Sequence, residues 1–103
     1  MLLVNIANIP GKNVEVIGMV KGSVVQSKHM GKDFMAGIKS MVGGELKGYT
    51  EMLTEARQLA TKRMVDEATK LGADAILKVT YESASIVQGA AEVMAYGTAV
   101  KFV

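Results

Sequence analysis

The chain has no cysteine and no tryptophan, only one proline, and one histidine among 103 residues. Without cysteine there is no disulfide framework, no cysteine zinc site, no iron–sulfur cluster and no thiol nucleophile. A single histidine excludes an all-histidine metal site within one chain. Charge of one sign is also scarce, at a net +2, too mild to argue for a nucleic-acid partner. Long apolar runs are missing, so no segment reaches the ~18 residues of a membrane span. The first ten residues, Met1 to Pro10, lack the basic flank and apolar stretch of a secretory signal. The cytoplasm is the expected compartment, and the absence of cysteine fits it.

Apolar residues are abundant instead, at 50%, with a mean hydropathy of +0.25. Such a chain buries enough surface to fold, which excludes disorder. Its length predicts one domain spanning 1–103. A compact monomer of this mass exposes about 5,600 Å².

Leu2 to Ile6 reads as a first strand, and Asn8 to Asn13, with Pro10-Gly11, as a turn. Val14 to Val25 is β-branched and reads as a second strand, bent or bulged where Gly18 and Gly22 interrupt it. Phe34, Ile38, Met41 and Val42 are spaced as one helical face, predicting a helix over Lys32 to Val42 that ends at Gly43-Gly44. The longest element runs from Tyr49 to Leu71. Its apolar positions recur every three to four residues, and Gly72 stops it. Leu77, Val79 and Tyr81 alternate with Lys78, Thr80 and Glu82, giving a strand that breaks at Ser83-Ala84-Ser85. Ala90 to Val103 is a last strand. One face carries Met94, Tyr96, Val100 and Phe102; the other carries Ala91, Val93, Ala95, Gly97 and Ala99. The small face predicts close packing, against the long helix. The order is β-β-α-α-β-β, an α+β arrangement with a mainly antiparallel sheet.

Gly43-Gly44, Tyr49, Leu53, Ala56-Arg57, Ala60, Met64, Ala68, Gly72-Ala73-Asp74-Ala75-Ile76 and then Tyr96-Gly97-Thr98-Ala99-Val100 span nearly the whole chain. In order and spacing this set resembles the YbjQ-like family of small uncharacterised proteins. The resemblance implies an α+β fold of the dodecin-like class and a ring-shaped homo-oligomer, usually a pentamer. The family's common label is heavy-metal-binding. Two departures stand out. Asn5, Ile6, Ala7 and Asn8 replace threonines common in the family, and Glu45 follows Gly43-Gly44 where the family often has arginine.

His29 and Asp33 are the candidate metal ligands. They lie i,i+4 on one helical face with Met30 beside them, and a metal needs three or four ligands, the rest from neighbouring subunits of a ring. Lys28 and Lys32 oppose a cation there. Met35, Met41, Met52 and Met64 fall on apolar helical faces and read as core rather than as Cu(I) ligands. Gly43 and Gly44 precede a helix start but match no phosphate-loop pattern, so they read as a helix–helix turn. Arg57 is expected to meet a carboxylate across an interface, Glu92 or Asp74. Tyr96, in an apolar strand, needs a hydroxyl partner where it is buried. No cofactor is evident, and neither a Ser-His-Asp arrangement, a nucleophile elbow nor a paired-carboxylate motif appears. The reading is therefore a homo-oligomeric ring protein, its partner a second copy of itself. The alternatives are a heavy-metal-binding module and an enzyme with its active site between subunits.

Overall fold

A computed structural model describes residues 1–27, 41–42, 45–87 and 89–103. Its elements are β1 (Leu2–Leu3), β2 (Val14–Ser27), β3 (Met41–Val42), β4 (Glu45–Leu46), α1 (Lys47–Lys70), β5 (Ala75–Val87) and β6 (Ala90–Phe102). The main sheet has the order β1-β5-β6-β2. β1 runs parallel to β5, while the β5–β6 and β6–β2 pairs are antiparallel. β3 and β4 form a separate two-stranded pair. The α+β class and the mainly antiparallel sheet agree with the sequence.

The helix forms because Met52, Ala56, Ala60, Met64 and Ala68 stack on one face every four residues, and all five are buried. Its end is a Schellman motif. The Ala73 N–H donates to the Ala68 carbonyl and the Gly72 N–H to the Thr69 carbonyl, both at 3.0 Å. That geometry needs the left-handed backbone Gly72 supplies, at φ 79°.

The apolar stripe of α1 meets Val20, Val24, Val93, Ala95 and Ala99, with Ile76 beside them. The small face of β6 thus packs on the long helix as expected. Gly22 is where the approach is closest. A Cβ there would fall on the Ala60 carbonyl oxygen and within 2.6 Å of the Met64 nitrogen. The helix lies over β2 and β6 and barely meets β5. A second, smaller core sits on the opposite face. Ala75, Leu77 and Val100 are covered there by Val4 and Ile9 of the N-terminal segment and flanked by Val14 and Phe102.

Four expectations are corrected. First, β1 is only Leu2–Leu3. The chain beyond it still follows β5, through the Val4 N–H to Ile76 carbonyl bond (3.1 Å) and the Lys78 N–H to Ile6 carbonyl bond (3.2 Å). Second, Ser83-Ala84-Ser85 is no break, because all three residues pair with β6 in register. Third, Leu77 does not share a face with Val79 and Tyr81. The ladder slips between Leu77 and Thr80, around Lys78 at φ 55°. Leu77 therefore joins the smaller core while Val79 packs beneath the helix. Fourth, Met41 and Val42 are strand, not the end of a helix; the rest of the helix expected over 32–42 lies outside the described residues. In β2 the bulge falls between Val16 and Gly18, and Gly22 marks a close approach rather than a bend.

Candidate functional site

A groove of about 460 Å³ is lined by Met19, Lys21, Glu82, Met94 and Tyr96 of the sheet, with Val20 and with Glu67 of α1. Alternation along β6 sends Val93, Ala95 and Ala99 to the helix and Met94 and Tyr96 to the opposite face. Tyr96 stands opposite Lys21 of β2 on one side and Thr80 of β5 on the other. Glu82 stands opposite Met94, which makes it a diagonal neighbour of Tyr96. The Tyr96 hydroxyl donates to Glu82 Oε1 at 2.9 Å.

The bulge at Lys78 creates this pair. An unbroken alternation from Leu77 would turn Glu82 toward the helix; the slipped register turns Tyr81 there instead. The Tyr81 and Thr61 hydroxyls accordingly lie 2.8 Å apart, beneath the helix. Glu67 contributes to the groove from α1.

The hydrogen bond to the Glu82 carboxylate holds the Tyr96 phenol above its ordinary pKa, with desolvation and the nearby negative charge adding in the same direction. The phenol is thus favoured in its protonated form and donates its O–H to Glu82. Lys21 and the carboxylates Glu67 and Glu82 set opposite charges around the thioethers of Met19 and Met94. This lining suits an amphipathic ligand better than bond-making chemistry.

Of the residues singled out from sequence, Tyr96 finds its hydroxyl partner, and Glu82 is the partner that the alternation pattern displayed but did not pair with it. Arg57 is exposed, and its Nη2 donates to Thr54 Oγ1 at 3.2 Å. The Asp74 carboxylate accepts the Phe102 N–H at 2.8 Å. Among the described residues the one salt bridge is Lys62–Asp66, at 2.9 Å, so Arg57 has no carboxylate within its own chain there. His29, Asp33, Gly43 and Gly44 lie outside the described residues. Among the described residues, no group of three or more His, Cys, Asp or Glu side chains is placed to hold a metal ion. With no thiolate in the sequence, this donor set does not fit a closed soft-metal site. No helix among the described residues is long and apolar enough to cross a membrane.

A family model described as "Putative heavy-metal-binding", of the YbjQ kind, matches residues 1–103. A UPF0145 protein of Clostridium novyi (strain NT) is 59% identical over 101 residues, covering 98% of each chain. A UPF0145 protein of Alkaliphilus metalliredigens is 56% identical over 103 residues and the full length of both. Among solved structures, a DUF74-family protein of unknown function from Pediococcus pentosaceus superposes with a TM-score of 0.67. It covers 100% of this chain and 98% of its own at 16% identity, a likeness of fold alone.

Proposed function

The chain belongs to this YbjQ family, and from that premise we propose that it is an assembly protein. It closes into a homo-oligomeric ring, five-membered as the resemblance implies, and offers the Tyr96 groove to a small ligand. The carrying observation is how much surface one copy leaves open. The radius of gyration is 16.8 Å, against about 13 Å for a compact domain of this length. The exposed surface is 6594 Å², about 1,000 Å² above the scaling value for a folded monomer. The excess is apolar where it matters. Val16, Met19, Val25, Ile86 and Val87 are all more than half exposed. A stable protein contact buries roughly 800 Å² per partner, so the surplus is of the right size.

Arg57 fits the same reading. An exposed guanidinium whose one side-chain partner among the described residues is a threonine hydroxyl suits a carboxylate on a neighbouring subunit. Glu92 serves better than Asp74, which already accepts a backbone N–H. The cytoplasm remains the compartment proposed for this cysteine-free chain.

Sedimentation velocity over a dilution series tests the proposal. The wild type is expected as one species several times heavier than 10.9 kDa. Val25→Glu together with Ile86→Glu is expected to shift it toward the monomer, because two charges would enter a buried apolar contact. A wild type that sediments as a monomer at micromolar concentration contradicts the reading.

A further inference from the structure

The groove beside Tyr96 carries charges of both signs that do not meet. Strand pairing sets Lys21, Tyr96 and Thr80 in one row across the sheet, and Ser23, Met94 and Glu82 in the next. Lys21 and Glu82 therefore stand on two strands, with β6 and its Tyr96 between them. Glu67 adds a second carboxylate from α1. Among the described residues the one salt bridge is Lys62–Asp66, so neither carboxylate is paired with Lys21 there. The thioethers of Met19 and Met94 border the same space.

We propose that this groove binds a zwitterion with an apolar body, a free α-amino acid with an aliphatic or thioether side chain. The inference rests on the reading of the groove as a ligand site and names the ligand's chemistry. Three observations carry it. The first is the separated pair of charges. The Lys21 ammonium is a donor for a carboxylate. Glu82 uses Oε1 to accept the Tyr96 hydroxyl at 2.9 Å, and Oε2 of the same carboxylate is an acceptor for an ammonium. An amino acid carries both groups on one carbon, so one small molecule answers both.

The second observation is what any other charge pattern leaves behind. An apolar ligand with one charge or none strips water from the groove and leaves at least one protein charge facing its apolar body. A desolvated, unpaired charge is strongly unfavourable. Only a ligand with both signs avoids this on both sides. The third observation is the apolar border. Thioethers adapt to side chains of differing shape, and the volume of about 460 Å³ is that of a small-molecule site. Tyr96 is a positioning residue here, because its hydroxyl fixes where the Glu82 carboxylate stands. With two carboxylates and one ammonium, the lining is anionic by one charge. The ligand's ammonium therefore contributes more than its carboxylate.

Isothermal titration calorimetry on the untagged wild type tests this with probes of one carbon skeleton. L-leucine carries both charges, isoamylamine only the ammonium, and isocaproate only the carboxylate. L-leucine is expected to bind saturably. Each half-charged probe is expected to bind about tenfold or more weakly, the effect of one lost charge-assisted hydrogen bond, with isocaproate the weakest. Lys21→Met and Glu82→Gln keep the side-chain shape and remove one charge each, and each is expected to weaken L-leucine about tenfold. Lys21→Met is expected to leave isoamylamine unchanged, and Glu82→Gln is expected to cost isoamylamine as much as L-leucine. A merely structural role for either residue would not sort the probes by charge. Circular dichroism and sedimentation velocity confirm that the variants keep the fold and assembly state of the wild type. A half-charged probe that binds as tightly as L-leucine, and is weakened by the groove variants, overturns the zwitterion and leaves the groove a ligand site. No heat from any probe, or L-leucine binding indifferent to both substitutions, overturns the inference outright. The assembly reading stands or falls separately, on the sedimentation of the same samples.

Discussion

At the scale of single residues, the Tyr96–Glu82 pair is the most testable feature of the groove. Its hydrogen bond favours the neutral phenol, so the folded pKa lies above the unfolded value of about 10. The pair's stabilising contribution is complete below that unfolded value and disappears as pH rises through the raised folded one. Thermal stability of the wild type is therefore expected to fall more steeply above pH ~10 than that of Tyr96→Phe. Glu82→Gln is expected to bring the tyrosinate absorbance change back toward ordinary pH. A Tyr96 that titrates identically in wild type and Glu82→Gln would remove the hydrogen bond from the account. The metal label is tested at the same scale. Zinc wants three or four N, S or O donors, and the sequence offers one imidazole and no thiolate. Titration of tag-free protein with Zn²⁺ and Cu²⁺ is expected to show no sub-micromolar site; one that vanished in His29→Ala would contradict this.

At the scale of elements, the helix and sheet meet through small residues, and that contact is unforgiving. Gly22→Ala pushes a methyl group into the Ala60 and Met64 backbone. Overpacking of this kind costs about 1–3 kcal/mol, which for a domain this size lowers the melting temperature by roughly 5–20 °C. Asp66→Ala breaks a salt bridge whose side chains are 70% and 53% exposed. Its expected cost is only a few tenths of a kcal/mol. Thermal melts of the two variants compare them directly, and equal shifts would show that the helix does not press on β2. Much of this layer was legible in sequence. The four-residue recurrence from Met52 to Ala68 and the run of small residues in β6 each encode one face of the contact. The Schellman stop was legible too, since Gly72 ends the periodic pattern. The bulge at Lys78 was not, because nothing in Leu77-Lys78-Val79-Thr80 marks a left-handed lysine. A period-2 reading carried past it assigned Leu77, Val79 and Tyr81 to one face. That same slip hid the Tyr96–Glu82 pair, although both residues were in view. Ser83-Ala84-Ser85 read as a break because its residues are poor strand formers; pairing with β6 overrides that propensity.

At the scale of the whole molecule, the sequence showed apolar excess but not where it sits. The structure places exposed Val25, Ile86 and Val87 toward one end of the sheet and exposed Val16 and Met19 farther along β2. An elongated copy, 53 × 25 × 17 Å in extent, with exposed apolar side chains on β2 and β5, is an aggregation hazard as a free monomer. Met19 and Lys21 of the Tyr96 groove belong to β2, the outermost strand on that side among the described residues. Native mass spectrometry of the untagged wild type tests this central claim most directly. The account predicts one dominant assembly of five chains, about five times 10.9 kDa. A spectrum dominated by the single chain under the same gentle conditions would contradict it.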